Sequence, residues 1–340
     1  MKKNKLNITK AAAHNPSRLM RDEGSVRGAI GGIARVYKST GSWYSIKTNE
    51  GEFIKARLKG KFKIDGRTST NPVAVGDWVE FELETDEHQN GIIHTIADRQ
   101  NYINRQSPHN KHAHHIIASN LNQTLLFATL KDPKTSLGFI DRFLITAEAF
   151  HIPAIIIFNK ADIYGSKEME LYNHIKSIYT NCGYKVMLLS LETGLGVVEL
   201  EQELANKTTL ISGHSGVGKS TFINKIFPNM ADLRTQVVSD WSGKGLHTTT
   251  FAEMFDLPQG GSLIDTPGIR ELGLVDIKKV ELSHYFPEMK KVLNLCQYNN
   301  CLHYNEAVCG VKEALNNNEI SEERYVSYLT LLEGIVEKKF

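Results

Sequence analysis

The sequence predicts a multidomain α/β protein, and three observations carry that reading. Its 340 residues are too many for one small domain. Short strand-like runs separated by turn residues fill the first third, whereas apolar runs alternating with helical stretches fill the middle. Past residue 274 the pattern is helical, interrupted by three cysteines and a histidine. The implied division is a basic tail over 1–27, an OB-like five-stranded β-barrel over 28–105 and a linker over 106–119. A doubly wound α/β domain over 120–274 and a helical domain over 275–340 follow.

In the barrel segment, strands are expected at 33–37, 43–47, 53–57, 78–83 and 92–96, with Asn49-Glu50-Gly51 as a hairpin turn. Lys47, Lys55, Arg57, Lys59, Lys61 and Lys63, with Trp43, Tyr44 and Phe53, offer charge and stacking for nucleic acid. The same residues suit a strand-rich domain with solvated lysines, and the two readings are evenly matched. In the α/β segment the apolar runs 125–130, 154–158, 186–189, 208–212 and 262–264 read as strands buried on both faces of a parallel sheet. Helices fit at 139–150, 167–180, 197–205 and 219–227. In the last helix Tyr325, Tyr328, Leu329 and Leu332 mark an apolar face.

Composition excludes some classes. With 41% hydrophobic and 23% charged residues, and no apolar run near the ~20 residues that span a bilayer, no integral membrane protein is expected. The first 27 residues lack the apolar core of a signal peptide, so a cytoplasmic location is expected. A net charge of +2 is too small to imply a polyanionic partner.

Gly213-His214-Ser215-Gly216-Val217-Gly218-Lys219-Ser220-Thr221 follows a strand and opens a helix. Glycines in that context let backbone N–H groups and a helix N-terminus surround phosphates. Lys219 is placed for the β and γ phosphates, and the Ser220 hydroxyl for Mg²⁺. Asn159-Lys160-Ala161-Asp162 ends a second strand. The Asp162 carboxylate matches the N1–H and N2 amino donors of guanine, a pair adenine lacks, which argues for GTP over ATP. Asn159 would tether loops, and Lys160 would lie over the base. Asp265-Thr266-Pro267-Gly268 puts a carboxylate at a strand end for Mg²⁺ through water, with Gly268 facing the γ phosphate. The tract Gly243-Lys244-Gly245-Leu246-His247-Thr248-Thr249-Thr250 is a candidate switch supplying a threonine hydroxyl. Ser190 is placed to support the guanine edge.

Cys296, Cys301, His303 and Cys309 supply four ligands for one structural, tetrahedral zinc, with no position left for water. Cys182 stands apart and is expected to be a buried thiol. His109, His112, His114 and His115 fall in the polar linker, where nothing fixes a metal geometry, so no metal is assigned to them.

The guanine reader precedes the phosphate loop, and the threonine tract and Asp265 come after it, an order that resembles the circularly permuted P-loop GTPases. With a barrel before and a cysteine cluster after, residues 28–340 resemble the ribosome small subunit-dependent GTPase A (RsgA/YjeQ) family. Gly76-Asp77-Trp78-Val79, Asp141-Arg142 and His247-Thr248-Thr249-Thr250 are further matches. The resemblance implies a GTP hydrolase that binds the small (30S) ribosomal subunit and 16S rRNA and assists late maturation; GTP and GDP are the expected ligands, and a monomer is expected. Its turnover would rise on the subunit. The rival reading is an RNA-binding scaffold with a slow or inactive guanine-nucleotide site. Leu246 stands where the family usually has a basic residue, Asn122 replaces an aspartate, and the tail is longer than expected. Ile269 follows Gly268 in place of the glutamine that orients water in many GTPases, so His247 is the candidate catalytic residue for that role.

Overall fold

The computed structural model describes residues 31–59, 72–85, 89–106, 114–227, 252–266 and 277–335. Strands β1 (Gly31–Ser39), β2 (Tyr44–Thr48), β3 (Phe53–Leu58), β4 (Trp78–Leu83) and β5 (Gly91–Ile96) overlap the five expected in the barrel segment. They run in the order β1-β2-β3-β5-β4, and β4 pairs back onto β1, closing the sheet into the expected five-stranded barrel. Alternation along these strands turns Ala34, Val36, Ile46, Ala56, Val79 and Ile93 inward, where they form one apolar core.

Strands β6 (Tyr102–Gln106) and β7 (His114–Ser119) form an antiparallel pair. Part of the stretch read as a linker is therefore strand, because Ile117 and Ala118 are buried against the next domain. The four histidines masked that signal. His114 and His115 lie on β7, whereas His109 and His112 lie outside the described residues.

The α/β domain follows as β8 (Gln123–Ala128), α1 (Leu137–Ala149), β9 (Ala154–Phe158), α2 (Ser166–Asn181), β10 (Lys185–Leu188) and α3 (Val197–Leu204). It continues with β11 (Thr208–Gly213), α4 (Lys219–Ile226), β12 (Glu253–Asp256) and β13 (Ser262–Asp265). Strands β10, β9, β8, β11 and β13 are parallel neighbours in that order, and apolar clusters lie on both faces of the sheet. This is the doubly wound arrangement expected from the alternation of apolar runs and helices. Strand β12 runs antiparallel beside β13 and was not foreseen, since Glu-Met-Phe-Asp is too short and polar to stand out. It also pairs with β1 at Lys38 and Glu253, so the barrel and the α/β domain share one eleven-stranded sheet.

The C-terminal segment comprises 3₁₀ turns at Lys279–Tyr285 and Leu293–Leu295, a one-turn helix at Pro287–Lys290, α5 (Gly310–Asn316) and α6 (Glu322–Gly334). Tyr328 and Leu332 on α6 are buried, with Tyr325 and Leu329 packed against the same cluster. Arg324, on α6, is 1% exposed and binds Asp141 of α1 at 2.5 Å and Glu288 at 2.7 Å. Tyr179 of α2 donates to the same Asp141 oxygen at 2.7 Å. A buried guanidinium with two carboxylates thus joins the C-terminal segment to the α/β domain. No described helix is long and apolar enough to cross a membrane.

Candidate nucleotide site and metal centre

Strand β11 delivers the chain into the phosphate loop, and α4 begins at Lys219 directly after it. Gly213, Gly216 and Gly218 have φ of +142°, +84° and +102°, which side chains on L-residues resist. These conformations fold the loop back over the strand end. The Lys219 amine donates to the carbonyls of Gly213 and His214, each at 2.6 Å, so the cation is held within the loop. Burial lowers its pKa from the ordinary value, and the charge of Asp265 opposes that shift. The His214 ring stacks on Phe139 with centroids 3.7 Å apart, seating the loop on α1.

The 159–162 segment, the candidate guanine reader, leaves β9 beside this loop. The Asn159 side-chain amide donates to the Val217 carbonyl at 2.9 Å, which joins the two motifs across 58 residues of chain. Lys160 adopts the left-handed conformation with φ +66°, and its amine donates to the Asp132 carbonyl. Ala161 donates its N–H to the Leu189 carbonyl at 3.0 Å. The Ser190 hydroxyl donates to Asp162 at 2.6 Å and accepts the Thr193 N–H at 3.1 Å, fixing the carboxylate that faces the base in the sequence reading.

Sequence reasoning missed Tyr164. Its hydroxyl donates to the Asn159 carbonyl at 2.5 Å and accepts the Leu130 N–H at 2.9 Å, bracing the guanine reader against the end of β8. A tyrosine two residues past the tetrapeptide gives no signal in one sequence. Asp265 closes β13 and lies opposite Ile211 of β11, so its carboxylate sits at the same end of the sheet as the phosphate loop. Ser215, Ser220 and Thr221 are on the loop and the first turn of α4. The switch tract with Leu246, His247, Thr248, Thr249 and Thr250, and Gly268 with Ile269, lie outside the described residues.

In the C-terminal segment, Cys296, Cys301, His303 and Cys309 converge, with ligand atoms all within 4.8 Å of one another. The His303 Nδ1 is 3.3 Å from the Cys309 sulfur and 3.6 Å from that of Cys296, and the two sulfurs are 4.0 Å apart. A tetrahedron with Zn–S bonds of ~2.3 Å has edges of about 3.8 Å, so the donor set and spacing fit zinc. Burial pushes the Cys301 thiol up to about 12, a cost that a bound cation removes by stabilising the thiolate. Tyr325 donates to the His303 carbonyl at 2.6 Å and Tyr328 to the Leu302 carbonyl at 2.8 Å, so α6 clamps the cluster.

Comparison with known proteins gives this geometry a family. The RsgA GTPase family model matches residues 96–275, just over half the chain, and the RsgA N-terminal domain model matches 34–93. The chain belongs to the RsgA GTPase family. A Flavobacterium johnsoniae RsgA relative, named a small ribosomal subunit biogenesis GTPase, is 49% identical over 88% of this chain and 92% of its own length. A Cytophaga hutchinsonii RsgA of the same name is 50% identical over 87% of this chain and 96% of its own. Among solved structures, YjeQ from Thermotoga maritima superposes with a TM-score of 0.73 at 32% identity, covering 91% of this chain and all of that one. YloQ, described as a circularly permuted GTPase, gives 0.69 at 26%, covering 90% and 95%. The permuted order read from the succession of motifs is therefore a property of the fold.

Among the described residues, Asp77 and Asp141 of the further matches have architectural contacts. Asp77 is fully buried and accepts from the Ala74 N–H at 2.8 Å, Ser119 at 2.6 Å and Arg99 at 2.6 and 2.7 Å, tying barrel to β7. Asn122 accepts the Thr208 N–H at 2.7 Å, so this departure from the RsgA pattern pairs the starts of β8 and β11. Cys182 is buried as expected, and burial pushes its thiol up to about 12.

Proposed function

We propose that this chain is a GTPase of small ribosomal subunit biogenesis: it binds GTP with Mg²⁺, docks on the subunit through 16S rRNA and hydrolyses GTP faster there. It acts as a cytoplasmic monomer and cycles between GTP and GDP. The observation that supports the reading is the hydrogen bond from Asn159 to Val217, which brings the 159–162 and 213–221 segments together. The names borne by its RsgA relatives support the partner.

Asp162, oriented by Ser190, accepts from the guanine edge, with Asn159, Lys160 and Ala161 shaping the base pocket. The backbone from Gly213 to Gly218 and the Lys219 amine surround the phosphates, with Ser220 and Thr221 at the head of α4. Phosphoryl transfer to water is limited by positioning and charge rather than covalent chemistry. Ser220 and Asp265 offer the hard oxygen ligands that suit Mg²⁺, which when bound neutralises charge on the β and γ phosphates. In this reading Gly268 would serve the γ phosphate, one of Thr248, Thr249 and Thr250 would offer a hydroxyl to the metal when bound, and His247 would orient the attacking water. Cys296, Cys301, His303 and Cys309 hold one structural zinc, which fixes the C-terminal segment.

Turnover measured with and without small subunits tests the whole. Stimulation is expected, and absence of hydrolysis in both conditions leaves only an RNA-binding scaffold. Asp162→Asn should weaken GTP binding by about 10- to 100-fold, the loss of hydrogen bonds to a charged group, and turn preference toward xanthine nucleotides. Unaltered guanine selectivity in that variant removes the basis for assigning the base.

A further inference from the structure

The barrel grips the α/β domain at β11 and at β12, the strand paired with the one that ends in Asp265. On β11, which runs into the phosphate loop, the Thr208 hydroxyl accepts from Arg35 of β1 at 2.9 Å. On the β12–β13 pair, Asp256 receives three hydrogen bonds from two domains. Tyr37 of β1 and Lys47 of β2 donate to it, each at 2.5 Å, and Ser262 of β13 donates at 3.1 Å. Burial opposes ionisation of Asp256, yet these donors hold its carboxyl below the ordinary value. At the other end of β12, Lys38 binds Glu253 at 3.2 Å, with both side chains no more than 15% exposed. Glu253 lies directly opposite Asp265 in the β12–β13 register. One barrel strand is thus fastened at both ends of the strand that abuts the candidate magnesium carboxylate.

We propose that this seam is the route by which a ligand on the barrel sets hydrolysis: Lys38, Tyr37, Glu253 and Asp256 are positioning residues that couple barrel occupancy to the placement of Asp265. The inference rests on the function proposed above and deepens it, because it names the contacts through which the subunit acts. None of the four touches nucleotide in that reading. A strand hydrogen-bonded on both sides transmits a rigid shift rather than absorbing it, and β12 has the barrel on one side and β13 on the other. Coupling expressed in kcat need not follow the reciprocity that binds the affinities of two ligands.

The experiment measures GTP turnover of the full chain at saturating small subunits, basal turnover, and subunit binding by co-sedimentation. The variants are Tyr37→Phe, Asp256→Asn, Lys38→Glu, Glu253→Lys, and the charge-swapped pair Lys38→Glu with Glu253→Lys. Each single change should cut the stimulated kcat at least fivefold while KM, basal rate and subunit binding stay within twofold. The swapped pair should regain at least half of the stimulation, which a merely structural disturbance would not do. Stimulation equal to that of the unmodified chain in the single variants overturns the inference, as does a swapped pair that binds the subunit yet stays unstimulated. An unmodified chain that shows no stimulation at all overturns the parent reading, and the coupling with it.

Discussion

Gly218 has φ +102°, and a Cβ there would lie 2.1 Å from the Asn159 side-chain nitrogen. Any larger residue must push away the amide that ties the guanine reader to the phosphate loop. Gly218→Ala should therefore lower GDP affinity at least about tenfold, roughly 1.4 kcal/mol, in titrations with a fluorescent analogue. Equal affinity would show that the tether does not shape the site. The glycine and the asparagine were each legible in the sequence, because their motifs have fixed local spacing. Their contact was not, nor was Tyr164, since a single side chain far along the chain leaves no periodic mark. Ser190 sits between these cases: its place after a strand suggested the guanine edge, and the hydrogen bond to Asp162 supplied the reason.

Among the elements, α6 shows where periodicity stops being informative. Its apolar face at Tyr328 and Leu332 was legible from spacing, but a lone arginine on a helix reads as solvated. Arg324 is instead buried between Asp141 and Glu288, with its guanidinium also 4.6 Å from the Phe286 ring centre. Removing it leaves two carboxylates without their counter-charge in the core. Arg324→Leu should cost about 3–5 kcal/mol in denaturant unfolding, and adding Asp141→Asn and Glu288→Gln should recover part of it. A cost under ~1 kcal/mol would mean that the network does not hold α6 in place. Strands β7 and β12 escaped the sequence reading for a related reason, as both are short and polar and become strands through their neighbours.

Across the whole molecule, the seam between barrel and α/β domain depends on charge. Asp256 has its pKa depressed in the fold, so its contribution to stability is complete above the ordinary value of 3.8 and is lost as pH falls through the folded value. The groups facing it are Tyr37, Lys47, Ser262 and Arg35. The Tm difference between the unmodified chain and Asp256→Asn should accordingly narrow as pH drops from about 6 to about 3. A difference that stays constant over that range would remove the carboxylate from the account of the seam. The amino-acid order alone determined the kinds of element, the permuted succession of motifs and the chemistry of their ligands, because periodicity and motif spacing act over a few residues. Tertiary structure decided that β1 lies along β12, that Arg324 is interior and that Asn159 reaches Val217. Those outcomes depend on register and burial between segments as far apart as Lys38 and Glu253, where local pattern has no hold.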